Sequence, residues 1–302
     1  MSRTELLAPV DLPSLAAALG RATPRSRLIA GGTDLILQLR ADVECPDLLI
    51  DLSGLRGLSF VRREPGLIRV GAMTTFAELC ANSALAAEAG CLMCAAAQVG
   101  SQQIRNVATI GGNVANASAC ADMLPSLLAL DTQVGVLNGA GTVAWRPLRD
   151  LLAPAGRTTL KSDEAIVEFS FAPLSRYQRS AFSKIGSRSS VTVAKLSGAI
   201  VVTLDETHRT ITCARIALGS IAPAAFVDHS VSAVLCGQLL NSGDTATLFA
   251  TACASAVNRS IPTRSTLPYK HHAILGLADD LWSAIGFGGA SAHFDPILRP
   301  LE

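Results

Sequence analysis

Two short stretches set adjacent glycines between aliphatic residues and a polar side chain: "AGGTD" at 30–34 and "TIGGN" at 109–113. They stand about eighty positions apart, and each follows a strand-like run, "RLIA" in one case and "VATI" in the other. A glycine in such a turn lets the backbone take positive φ and lets a ligand approach where a Cβ would stand. Successive backbone N–H groups then form a nest suited to an anion. The helix expected after the first turn adds the positive end of its dipole. Thr33 and Thr109 offer hydroxyl donors to phosphate oxygens, and Asn113, Asn116 and Asp122 can bond sugar-type hydroxyls. The set suits a ligand that carries a diphosphate. A lone Gly-Gly is more often a plain tight turn; two with matching neighbours point to two walls of one site.

Other chemistries find less support. No G-x-x-x-x-G-K-[ST] occurs, so a P-loop is excluded. "GFGGAS" at 286–291 lies too near the C-terminal end to open a βαβ unit and reads as a tail loop. Cys91 and Cys94 form "CLMC", but no second pair stands at metal-site spacing and the surroundings are apolar. Both are expected to be buried core thiols. Cys120, inside the second glycine segment, is expected to be a small buried side chain. His271 and His272 are adjacent on an expected helix, about 100° apart, and cannot readily share a metal. His208, His229 and His293 have no partner at ligand spacing, and no G-x-S-x-G elbow is present. No catalytic side chain and no metal site is expected.

Composition narrows the class. With 25 basic and 24 acidic residues the net charge is +1, and only 4% of residues are aromatic, which together argue against a nucleic-acid binder. The 302 residues are 49% hydrophobic, enough for two or three compact units. No run reaches about 18 consecutive apolar residues, so no membrane span is expected. The start lacks a secretory pattern and the eight cysteines are scattered, so the expectation is a cytoplasmic protein with reduced thiols.

The elements that must position the two turns can be read from periodicity. Residues 1–57 suggest a β-α-β-α-β unit: a helix from near Asp11 with Leu12, Leu15 and Leu19 inward, then "RLIA", a helix with Leu35, Leu39 and Ile36 inward, and the strand "DLLID". Residues 58–175 open with a hairpin around "REPG", then a helix capped by Thr75 with Glu78 three residues on. An Ala-rich helix over 85–97, the second glycine turn, the helix "MLPSLLALD" and three strands complete this unit. From 176 to 302, antiparallel strands followed by three helices suggest an α+β module.

Taken in order, "AGGTDLILQLR", "QIRNVATIGGNVANASACADMLPSLLALD" and "RSAFSKIGSRSS…IALGSIAP…STLPYK" resemble the FAD-binding medium subunit of the molybdenum hydroxylases. That family includes carbon monoxide, xanthine and nicotine dehydrogenases, and the resemblance covers essentially the whole chain. It implies an α+β protein with a vanillyl-alcohol-oxidase-like (PCMH-type) FAD-binding fold of two α/β subdomains, FAD between them, and a C-terminal α+β domain. It implies pyrophosphate contacts from Ala30, Gly31, Gly32, Thr33 and Asp34, and from Thr109, Ile110, Gly111, Gly112 and Asn113. Asn116 and Asp122 fall where the family contacts the ribityl chain, and Lys184 falls at a basic position near the flavin. The implied role is electron transfer from a partner's iron–sulfur clusters through FAD to an external acceptor. The implied partners are a large subunit with a molybdopterin-type molybdenum cofactor and a small subunit with two iron–sulfur clusters, as a dimer of heterotrimers. The alternatives are a stand-alone flavin oxidoreductase and a partner subunit that has lost FAD. The chain departs from the family's common "ASPxxD" at Ala119 and Cys120, and has "SSVTVAK" where some members place an aromatic residue on the flavin.

Overall fold

The computed structural model describes residues 4–154 and 156–286. A small parallel sheet takes the strands in the order Glu5–Leu7, Leu48–Asp51, Arg27–Ile29. Its first crossover is the helix Leu12–Leu19, capped by Asp11, which accepts from the Ser14 N–H, with Pro13 in the first turn. Leu15 and Leu19 are fully buried, but Leu12 is left on the surface at the helix start. The second crossover, Leu35–Arg40, differs from expectation because none of its residues is fully buried. It covers the edge of a cleft rather than a core, so Leu35, Ile36 and Leu39 are only half-buried.

A five-stranded antiparallel sheet follows, in the order Val61–Glu64, Leu67–Gly71, Glu164–Phe171, Gln133–Asn138, Val143–Pro147. Its first hairpin turns at Gly66, and Thr75 and Glu78 form the capping box of the helix Phe76–Ala81. The Ala-rich stretch is two helices, Ser83–Glu88 and Gly90–Ala97, because Ala89 leaves helical geometry at φ −154°. "VATI" is not a strand. Residues Gln102–Arg105 form a helical turn, Thr109 makes a single bridge to Thr75, and Ile110–Asn116 is helix. The Thr109 hydroxyl accepts from the Gly112 N–H and starts that helix, overriding the β preference of the run before it.

The last sheet is antiparallel, Gln178–Ile185, Leu196–Leu204, Ile211–Gly219, Phe226–Val227, and carries the helices His229–Leu235, Gly243–Ser260 and Leu267–Gly286. Alternate residues of its strands face opposite ways. Phe182, Ala199, Val201 and Ala217 face the helices Gly90–Ala97 and Met123–Ala129, whereas Ile200, Val202, Ile216 and Leu218 face the side covered by His229–Leu235 and Leu267–Gly286. The five-stranded sheet is shared in the same way. Val134, Val136 and Phe169 join the central core, while Leu137, Ala165 and Val167 join Leu15, Leu19 and Ile50 of the first unit. Each fully buried Val, Leu, Ile or Phe among these stabilises by about 1.5–3 kcal/mol. Surface pairs such as Arg21–Glu5 contribute about 0–1 kcal/mol, so the layers hold by their faces.

One ion pair is of a different kind. Lys184, on the edge strand of the last sheet, places Nζ 2.6 Å from Asp122 Oδ2 at the start of Met123–Ala129, with the two side chains only 4% and 9% exposed. The same ammonium donates to the Gln98 carbonyl at 3.0 Å. Burial pushes the Asp122 carboxyl up to about 6 even though Lys184 opposes the rise. A carboxyl raised on folding binds its proton more tightly in the native state, so its contribution favours folding at low pH and is lost as pH rises through the folded value. Lys184→Met removes the cation and leaves Asp122 buried alone. It should therefore cost about 3–5 kcal/mol near about pH 8, and the deficit should shrink as pH falls toward about 6 and level off below it, where the carboxyl is protonated in both chains. Urea titrations across that range check this; a deficit of constant size would show that Lys184 contributes packing alone.

Candidate functional site

The two glycine segments meet. A Cβ on Gly31 would stand 2.0 Å from the Val107 carbonyl oxygen, and one on Gly112 would lie 3.7 Å from the Ala30 Cβ. A Cβ on Gly111 would come within 2.6 Å of the Ala72 oxygen. Gly31 and Gly111 are required by close backbone approach, whereas a Cβ on Gly112 would meet only side-chain atoms. Of the four, Gly32 alone takes positive φ, at +67°.

Between the segments runs a cleft of about 760 Å³, toward the upper end of the range for small-molecule and cofactor sites. Ala30, Gly31, Gly32, Thr33 and Asp34 line one side, and Thr109, Gly111, Gly112, Asn113 and Asn116 line another. Ala72, Met73 and Phe76 give it an apolar wall. Phe76 is the one aromatic side chain among the described lining residues.

The two segments differ in what they offer. The N–H groups of Gly31, Gly32, Thr33 and Asp34 donate to no acceptor among the described residues, so the first turn is an open nest. In the second segment the donors are already used. Ile110 N–H goes to Thr74 O, Gly111 N–H to Ala72 O, Gly112 N–H to Thr109 Oγ1 and Asn113 N–H to Thr109 O, at 2.9–3.0 Å. The second nest expected from the sequence is therefore a helix start whose contribution to the cleft is side chains. Asn113 Oδ1 is buried there without a hydrogen-bond partner, a position that ordinarily calls for one.

Three residues expected in the site lie off the cleft. Ile110 is fully buried beneath the helix start and points into the core. Asp122 and Lys184 are turned to one another, and Gln98, which accepts from Lys184, directly precedes the lining residue Val99. Sequence reasoning missed the strip at 156–162, which brings Arg157 and Lys161 to the cleft. Two cations just before the apolar strand Glu164–Phe171 were its visible signal.

Cys91 is fully buried and its thiol is pushed up to about 12 by desolvation, while Cys94 and Cys80 are raised for the same reason. Cys120 is half-buried with Sγ 3.1 Å from Ser118 Oγ. His271 Nδ1 lies 2.9 Å from Asn258 Oδ1 at the surface, and no group of three or more His, Cys, Asp or Glu among the described residues could hold a metal. Residues 287–291 of the tail motif, and His293, lie outside the described residues. No described helix is long and apolar enough to cross a membrane.

Comparison with known proteins adds an independent line. A family described as "FAD binding domain in molybdopterin dehydrogenase" matches residues 2–173, and "CO dehydrogenase flavoprotein C-terminal domain" matches residues 181–285. The nicotinate dehydrogenase FAD-subunit of Eubacterium barkeri is 34% identical over 182 residues, 59% of this chain and 61% of that protein. The chain thus aligns with about three fifths of that relative's length. Subunit alpha of the 6-hydroxypseudooxynicotine dehydrogenase complex of Paenarthrobacter nicotinovorans is 30% identical over 248 residues, 82% of this chain and 79% of that protein. Among solved structures, carbon monoxide dehydrogenase from Hydrogenophaga pseudoflava superposes with a TM-score of 0.86 over 95% of this chain and 98% of that one, at 23% identity. The fold is therefore the PCMH-type FAD-binding fold with its C-terminal α+β domain, as the resemblance implied. Two family matches in tandem and a cleft built between paired glycines lead to one conclusion: the chain belongs to the FAD-binding flavoprotein subunits of the molybdenum hydroxylases, a family of oxidoreductases.

Proposed function

We propose that the cleft holds FAD, and that the chain is the electron-transfer subunit of a molybdenum hydroxylase, built as three units at 1–57, 58–175 and 176–302. FAD, when bound, supplies the capacity to take electrons from a partner's iron–sulfur clusters and release them to an external acceptor. The partners in this reading are a large subunit with a molybdopterin-type cofactor and a small subunit with two iron–sulfur clusters, assembled as a dimer of heterotrimers in the cytoplasm.

The chemistry of the lining fits that cofactor. The free N–H groups of Gly31, Gly32, Thr33 and Asp34 would hold phosphate oxygens, with hydroxyl donation from Thr33 and Thr109. Asn113 and Asn116 would bond the ribityl hydroxyls, and Ala72, Met73 and Phe76 would exclude water from the ring. Asp122 and Lys184 would act from behind the site, by fixing the last sheet against the segment that carries Gln98 and Val99. One observation carries the reading: unpaired N–H donors and the unpaired buried Asn113 amide oxygen line the same cleft.

Acid release of flavin from the purified chain, followed by chromatography, should give FAD at about one per chain, and its absence from the intact complex would overturn the cofactor assignment. Asn113→Leu removes a partner from the ligand without touching the backbone, and should weaken FAD binding about ten-fold with an unchanged circular-dichroism spectrum. The glycine variants should separate two effects. Gly32→Val forces a β-branched residue to φ +67° and should lose FAD in a folded chain. Gly111→Val drives a side chain into the Ala72 backbone and should destabilise the chain itself, read as a lower thermal midpoint.

A further inference from the structure

Neither glycine segment contains a cation: residues 30–34 and 109–116 hold Asp34 as their single ionisable side chain. A dinucleotide diphosphate brings two negative charges into the cleft, and N–H donors alone leave them uncompensated in a partly dry site. Six ionisable side chains line it: Arg27, Asp34, Glu44, Arg157, Lys161 and Glu164. Arg27 is committed to Glu44 at 2.8 Å. Glu164 is held by Arg146 and by the Lys161 N–H. Asp34 accepts from Gln38 Nε2 and carries the same sign as the ligand. The side chains of Arg157 and Lys161 make no ion pair and no hydrogen bond with any described residue.

Their backbone is well placed for a charge that must stay over the cleft. The short strand Arg157–Thr158 pairs with Leu152–Ala153 and packs on the helix Ile110–Asn116. Gly156, at φ +66°, turns the chain into this strand beside Ala117. Glu164, tied to Arg146 across the sheet, fixes the other end of the strip and accepts the Lys161 N–H at 3.0 Å.

We propose that Arg157 and Lys161 form a cationic strip that supplies the counter-charge for the diphosphate of the bound dinucleotide. The proposal rests on the reading of the cleft as the FAD site and adds the residues that make it select a diphosphate-bearing flavin over one without phosphate. Both side chains are exposed, so their removal leaves the core untouched.

The test uses the full chain freed of flavin, titrated with FAD and with riboflavin by flavin fluorescence. Arg157→Ala and Lys161→Ala should each raise the dissociation constant for FAD about ten-fold and leave that for riboflavin unchanged. Raising salt from about 50 to 500 mM should weaken FAD binding to wild type, and much less to the double variant, because that electrostatic attraction is screened. Arg157→Lys and Lys161→Arg keep the charge and should keep the affinity. Equal FAD affinity in wild type and the double variant overturns the strip while leaving FAD in the cleft. Equal losses for FAD and riboflavin also overturn it, as a structural effect. A wild-type chain that binds no FAD overturns the cofactor reading and the strip together.

Discussion

The cleft exists because backbone touches backbone at two places where a side chain cannot stand. Gly31 lies against the Val107 carbonyl and Gly111 against that of Ala72, at distances a Cβ would violate by more than an ordinary rearrangement absorbs. The first contact joins the parallel sheet of the first unit to the segment leading into Thr109. The second joins that same segment to the end of the strand Leu67–Gly71 of the five-stranded sheet. Thr109 to Asn113 are thus clamped from both sides, and every N–H from Ile110 to Asn113 is spent on holding them there.

That clamp explains why two similar-looking segments have unlike roles. A segment whose donors are all satisfied by protein can be rigid but cannot greet an anion through its backbone. The first turn is the converse, with four N–H groups open and one positive φ at Gly32 to aim them. Rigidity comes from one segment and donor capacity from the other, and on the rigid side the Asn113 amide oxygen lines the cleft without a partner. Positive charge comes from neither, and in the proposed reading the strip at Arg157 and Lys161 supplies it.

Much of this was legible in the residues. The capping signals at Asp11 and at Thr75 with Glu78 read true, as did the hairpin at Gly66 and the alternation of the last sheet. They are local, so a sequence window contains the whole cause. The failures share one origin in contacts across the chain. "VATI" has a strand's composition, yet the Thr109 hydroxyl and the carbonyls of Ala72 and Thr74 decide for a helix start. Leu35 and Leu39 have a core helix's spacing, yet their helix roofs a cleft. Paired glycines announce closeness but not whether a ligand or another backbone comes close; here Gly31 and Gly111 meet protein.

Asp122 shows the same limit with larger consequences. Its place at the end of a glycine segment makes it look like a ligand to hydroxyls, but 62 residues later Lys184 takes one oxygen and leaves Oδ1 buried without a partner. A pair so buried adds little net stability over apolar side chains of the same volume, because desolvation offsets the attraction. What it adds is direction. Hydrophobic faces tolerate sliding, whereas Lys184 must reach both the Asp122 carboxylate and the Gln98 carbonyl, which fixes the last sheet in register against the helices beneath it. Since Gln98 leads directly into Val99 at the cleft wall, any displacement of the last sheet would be felt at the cleft, and the ion pair resists it together with the bonds from the Cys91 N–H to Ser180 Oγ and from Arg215 to the Ala129 carbonyl.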